Sequence, residues 1–276
     1  MTILVFLTSL LGCIFIGIPV AFSLLLCGLS LMVYMNVVDI QIMAQNLVHG
    51  ADSFSLLAIP FFVLAGELMN AGGISKRIVD LPLKLVGHKQ GGLGYVTIIA
   101  SVLMASLSGS AAADTAALGM VLLPMMKRAG YLPGNSVGLI ATGGIIAPII
   151  PPSIPFIIFG VASGVSISKL FLAGIAPGLM MGVALAVVWW WQSRNAQLTM
   201  NEKAPKEEVW RSFREGIWAL LLPVIIIGGF RSGMFTPTEA GAVAAVYALF
   251  VALFIYRELK FRDLFEVLYA AAETTA

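Results

Sequence analysis

No charged side chain occurs before Asp39. A stretch this apolar cannot form the wall of a water-soluble domain. As one helix, Ile3–Met35 would measure about 48 Å at 1.5 Å per residue. That overshoots a hydrocarbon core about 30 Å thick. Gly17 and Pro19 interrupt the run, so two helices are expected, both shorter than usual. The whole chain has the same character. Of its 276 residues 59% are hydrophobic and 11% charged, against roughly 25% charged in soluble chains. The composition implies an integral membrane protein and excludes a collagen, a disordered chain and a nucleic-acid binder. Cys13 and Cys27 lie in apolar runs without metal-ligand spacing and are expected to pack rather than ligate. The first residues have no basic region, and the apolar run is too long for a cleavable signal.

The basic residues order the crossings. None precedes Lys76, and a cluster then follows at Lys76, Arg77, Lys84 and Lys89. The positive-inside rule places that cluster in the cytoplasm. Ile40, Met43, Ala44, Leu47 and Val48 fall on one helical face, opposite Asp39, Gln41, Gln45 and Asn46, which suits a helix lying along the interface. Ser53–Met69 crosses inward with Pro60 as a kink. Tyr95–Met126 has basic residues on both flanks, so a single crossing would strand one cluster on the wrong side. Two half-helices of roughly 15 residues, about 22 Å each, meeting at Ser108-Gly109-Ser110, enter and leave on one side. Residues 95–126 therefore read as a re-entrant hairpin.

Residues 136–164 cross outward as a helix broken by Pro148, Pro151, Pro152 and Pro155. Ser166–Gln192 returns, with Trp189-Trp190-Trp191 as an interfacial aromatic anchor before Arg194. A mixed-charge cytoplasmic loop over 193–216 precedes a crossing at Ile217–Phe230 and a return at Ala240–Tyr256. This arrangement puts fourteen of the sixteen basic residues on the cytoplasmic side, the exceptions being Lys169 and Arg231. The segments are scaffold and arm (1–52), a first transport part (53–192), the loop, and a final part (217–276).

The order "Pro19, apolar helix, amphipathic helix" recurs after Pro237, where Phe261, Leu264, Phe265, Leu268 and Tyr269 repeat the spacing seen at Ile40. The two copies start on opposite sides, the inverted-repeat plan of secondary transporters. The second copy stops where its next crossing should begin, so the chain is expected to be a fragment or a truncated product. The fold class is an all-α polytopic membrane protein with inverted repeats, a re-entrant hairpin, discontinuous helices and an incomplete second repeat.

Broken helices in hydrocarbon leave backbone groups that are tolerated only against protein or a watery cavity. At Ser106–Thr115 one half-helix ends in carbonyls beside serine hydroxyls, suited to a hard cation, and the next begins with N–H groups, suited to an anion. The glycines and prolines of Thr142–Ser153 expose further backbone. Asp114 is the only acid deep in an intramembrane segment, which makes it a functional candidate. Glu67 lies nearer the interface. Thr236-Pro237-Thr238-Glu239 has the form of a capping box, and His49 and His88 fall in loops or arms.

The motifs PFFVLAGELMNAGGIS at Pro60–Ser75, SLSGSAAADT at Ser106–Thr115, GIIAPIIPPS at Gly144–Ser153 and FTPTEAG at Phe235–Gly241 together resemble the large membrane subunit of the tripartite ATP-independent periplasmic (TRAP) transporters. The resemblance runs along the whole chain. It implies an elevator-type, Na⁺-driven importer of organic anions (sugar acids, keto acids or dicarboxylates) in a bacterial inner membrane. It also implies two partners, a small membrane subunit and a periplasmic substrate-binding protein, with Na⁺ as coupling ion and no other cofactor. By position, Ser106, Ser108 and Ser110 with Gly143, Gly144, Ile146 and Pro148 would form one Na⁺ site. Asp114, Thr115 and Ser153 would lie near the substrate or organise that site. A second ion site and half the substrate pocket would lie beyond Ala276.

Three other readings compete: a binding-protein-independent anion/Na⁺ symporter of related fold, a non-transporting scaffold subunit, and an intramembrane hydrolase. The last would need a nucleophile with a base or paired aspartates. No histidine lies at depth and Asp114 has no acidic neighbour in the sequence, so the chain is read as a non-enzyme.

Overall fold

The structure, a computed structural model, describes residues 1–194 and 202–275. Among these residues every regular element is helical. Two compact units emerge, Met1–Asp52 and Ser53–Ala276.

In the first unit, α1 (Thr2–Phe15) and α2 (Val20–Tyr34) are separated at Gly17 and Pro19, as the sequence predicts. Gly17 takes φ +90°, a conformation open to glycine, and Pro19 caps α2. The two helices pack together. The Ser9 hydroxyl donates to Cys27 Sγ at 3.3 Å, and Cys27 is 1% exposed, a packing cysteine. α3 (Ile40–Ala51) starts at Asp39, whose carboxylate accepts from the backbone N–H groups of Gln41 and Ile42 at 2.8 and 3.2 Å. That cap satisfies donors a helix start otherwise leaves open.

In the second unit, a 3₁₀ turn (Phe54–Leu57) leads into α4 (Ala58–Ala71). The irregularity expected at Pro60 sits just before it, because the first turn of a helix tolerates proline. α5 (Ile74–Val86) is an amphipathic helix that the charge count alone passed over. α6 (Gly92–Ser108) and α7 (Ala111–Arg128) form the predicted interrupted pair. α8 (Pro133–Gly144) and α9 (Ile154–Ser163) form the predicted broken helix.

Next come α10 (Ile167–Ser193), α11 (Lys206–Ser232), α12 (Pro237–Phe250) with a π-helical turn at Val251–Ile255, and α13 (Leu264–Thr275). Among the described residues four helices are long and apolar enough to cross a membrane: Phe54–Ala71, Ile167–Ser193, Lys206–Ser232 and Pro237–Ile255. The predicted capping box is present, with Thr236 N donating to the Glu239 carboxylate at 2.8 Å.

Three expectations need correction. The loop over 193–216 partly falls outside the described residues, and helix already begins at Lys206. Glu207 and Glu208 occupy its first turn, where negative charge complements the helix dipole. Phe261 precedes α13 rather than belonging to it. Trp189 is not a belt residue: it is 4% exposed. Its indole N–H donates to the Gly91 carbonyl at 2.9 Å, and its ring stacks on Tyr131 at 5.9 Å and 3°. The Tyr131 hydroxyl in turn accepts from Leu93 N at 3.2 Å. Trp190 and Trp191 are exposed, and the Arg194 guanidinium lies 5.8 and 4.8 Å from their rings. Trp189→Ala should therefore cost about 3–5 kcal/mol, whereas Trp190→Ala should cost little. Thermal unfolding of the two purified variants separates them.

Candidate functional site

Two helix interruptions meet in the second unit. The first lies between α6 and α7. Gly109 turns the chain with φ +61°, and a side chain there would run into the Pro152 carbonyl and the Ser153 backbone. Only glycine lets the α6–α7 turn settle on the segment between α8 and α9. Gly66 of α4 faces Ser108 from the other side, close enough that an added Cβ would touch it at 3.4 Å.

α6 ends without a cap. Among the described residues no backbone N–H beyond the helix reaches the carbonyls of Ala105, Ser106, Leu107 or Ser108. Uncapped carbonyls in a buried position are costly unless something positive faces them. α7 begins in the opposite sense. Ser110 caps it by accepting from Ala113 N at 3.4 Å, and the Ser110 N–H turns back to the Ser108 hydroxyl at 3.1 Å.

Asp114 stands one turn into α7 and is 1% exposed. Its Oδ1 accepts a hydrogen bond from the Ser108 hydroxyl at 2.5 Å. Its Oδ2 is buried without a partner among the described residues. Most buried polar atoms are paired, so an orphaned carboxylate oxygen on a side chain tethered to the last residue of α6 is a specific feature. A second orphan, Ser101 Oγ, lies on the same face of α6 two turns earlier. The sequence reading missed it; its seven-residue spacing from Ser108 was the available signal.

The break after α8 is built differently. Gly143 lies against Ser101, and Gly144 against Thr115 and the Ala111 carbonyl, so α8 approaches α6 and α7 at backbone distance. The carbonyls of Thr142, Gly143 and Gly144 are tied off by turns from Ile145, Ile146 and Ala147 at 3.3, 3.1 and 3.1 Å. Each keeps one lone pair. Pro148 O accepts the Ser153 hydroxyl at 2.5 Å. Ser153 is fully buried and also caps α9 through Phe156 N at 3.3 Å.

The residues singled out from sequence thus divide by what they do. Ser108, Ser110 and Asp114 come together at the α6–α7 turn, Gly144 lies against Thr115 in the early turns of α7, and Gly143 meets α6 two turns further back, at Ser101. Ser106 spends its hydroxyl on Leu103 O at 2.6 Å. Ile146 is fully buried in a small cluster with Ala105, Ala147 and Ile150. Ser153 shapes the break rather than offering a free hydroxyl. Among the described residues no group of three His, Cys, Asp or Glu side chains gathers as a metal cluster. The donors are hydroxyls, carbonyls and one carboxylate, the hard oxygen set that suits Na⁺ rather than a transition metal.

Long apolar helices around two opposed interruptions define a helical membrane protein whose polar centre is made of main chain and small hydroxyls. The family model described as "Tripartite ATP-independent periplasmic transporter, DctM component" matches residues 7–276, and the chain belongs to that family. It is 68% identical over 276 residues to the 2,3-diketo-L-gulonate TRAP transporter large permease protein of Escherichia coli (strain K12), covering 100% of this chain and 65% of that protein. It is 44% identical over 266 residues to the sialic acid TRAP transporter large permease protein of Vibrio cholerae, covering 96% and 62%. Against the C4-dicarboxylate TRAP transporter large permease protein of Rhodobacter capsulatus identity is 38% over 290 residues, covering 100% and 66%. The chain therefore spans about two thirds of the length of these relatives.

Proposed function

We propose that this chain carries an ion-holding centre of a Na⁺-driven TRAP large permease, which imports a small organic anion across a bacterial inner membrane. The observation that carries the reading is the buried end of α6, whose last four carbonyls are uncapped, with Asp114 tethered to it through Ser108 and its Oδ2 left without a partner. A monovalent cation seated at that helix end would be met by several of these oxygens at once. The start of α7, with its positive dipole end, lies beside that point and suits a carboxylate.

The substrate class draws on the relatives: proteins named for 2,3-diketo-L-gulonate, sialic acid, C4-dicarboxylates and isethionate all handle organic anions. The family's tripartite periplasmic description supports a small membrane subunit and a periplasmic binding protein as partners. In this reading α6 and α7 are re-entrant, α3 and α13 lie along the interface as arms of an inverted repeat, and residues 53–192 form the first-repeat transport part of an elevator.

The test is uptake into proteoliposomes by the intact permease with its membrane partner and binding protein. Accumulation should require an inward Na⁺ gradient and should vanish when the gradient is collapsed. Uptake indifferent to that gradient would sink the ion assignment. Uptake that persists without the binding protein would favour a stand-alone symporter.

A further inference from the structure

A groove of about 420 Å³ separates the C-terminal half of α5 from the first turns of α11. Its walls are apolar: Leu81 and Leu85 on one side, Val209, Trp210 and Phe213 on the other. The Trp210 and Phe213 rings stack at 5.7 Å and 21°, yet Trp210 is 67% exposed and Leu85 48%. Stacked rings left open to the surroundings, at the point where a charged helix start runs into an apolar crossing, mark a membrane–water boundary.

The polar groups of the groove are basic. Lys203, Lys206 and His88 line it with Lys84, and no acid does. Glu207 and Glu208 lie off the lining face, which follows positions 206, 209, 210 and 213 around the helix. Lys84 is already engaged, 3.1 Å from Asp80 and donating to Ser212 at 2.7 Å, and it braces α5 against α11. Among the described residues Lys203 and Lys206 form no ion pair. His88 Nδ1 is buried with no partner among the described residues.

We infer that this groove binds one anionic phospholipid, with an acyl chain between α5 and α11 and its phosphate against Lys203, Lys206 and His88. A free phosphate would find only the rim, since the walls offer it nothing. A zwitterionic lipid would satisfy the walls but gain less from the lysines. Basic pockets between crossing helices have this selectivity because the headgroup charge is neutralised while the tail stays in apolar surroundings. The assignment stands apart from the sodium reading and survives its failure.

Brominated lipids quench nearby tryptophan fluorescence and serve as the probe. The intact permease in mixed micelles is titrated with brominated phosphatidylglycerol and, separately, brominated phosphatidylcholine. The component of quenching lost in Trp210→Phe reports the groove. That component should favour phosphatidylglycerol several-fold, roughly five-fold per lysine, and excess inorganic phosphate should not alter it. Lys203→Gln/Lys206→Gln, at two exposed positions, should abolish the preference with unchanged thermal unfolding. Equal quenching by both lipids, a preference that survives the double substitution, or displacement by inorganic phosphate overturns the proposal.

Discussion

Substituting Asp114 with alanine in the intact permease should abolish Na⁺-dependent uptake while leaving membrane insertion and partner assembly in place. The expectation follows from how the carboxylate is used. One oxygen is held by Ser108 at 2.5 Å and the other is buried without a partner. A carboxylate needed only to tie the turn would have both oxygens employed or one in water. Ser108→Ala removes the tether but keeps the charge. It should weaken apparent Na⁺ affinity roughly 10–100-fold, the usual cost of losing a group that orients a ligand. Asp114→Asn keeps the shape and the hydrogen bond but not the charge, so it should behave like the alanine variant. Unchanged uptake kinetics in Asp114→Ala, or a fall in thermal stability with no shift in Na⁺ dependence in Ser108→Ala, would reduce the pair to a structural clasp.

A second large effect, this one on the folded state, should come from filling the seam between the two interruptions. Gly109→Ala forces a left-handed conformation, which costs roughly 1–2 kcal/mol, and drives a methyl into the Pro152 carbonyl. Gly144→Val would collide with Thr115 and Ala111, and overpacking of this kind adds roughly 1–3 kcal/mol. Both variants should show a markedly lower unfolding midpoint. Gly119→Ala in α7 and Gly138→Ala in α8 provide the contrast, because an added Cβ there meets nothing within 4 Å. They should be neutral or slightly stabilising. If all four behaved alike, close backbone approach would not be what holds the breaks together.

Much of this was readable from sequence because charge and proline act locally. Gly17 with Pro19, Ser108-Gly109-Ser110 and the prolines from Pro148 to Pro155 interrupt helices wherever they sit, so those boundaries follow from residue type. The Thr236–Glu239 box is likewise complete within four residues. What escaped depends on contact between distant segments. Trp189 looked like its neighbours Trp190 and Trp191, and only the approach of Gly91, Gly94 and Tyr131 distinguishes it. The hydroxyl of Ser101 is notable only because Gly143 abuts it. α5 carries Lys76, Arg77 and Lys84, which mark a side of the membrane but not the apolar face that makes the segment a helix. Ser153 sits in the right motif, but its hydroxyl turns inward to Pro148, a choice the residue type does not dictate.

The pairing of α4 with α12 has a consequence of its own. Ala240, Ala244 and Ala248 are fully buried, as are Ala58 and Ala65, and Gly241 admits the Phe61 side chain and the Ala58 carbonyl at close range. Lipid tails are as greasy as the helices, so expelling them yields little, and cohesion rests on dispersion forces between backbones brought within touching range. Such forces fade within an ångström or so. One oversized methyl at Ala244 would wedge the two rods apart along their length, whereas trimming a bulky residue on the outward side of α12 would pass unnoticed. The joint depends on smallness itself.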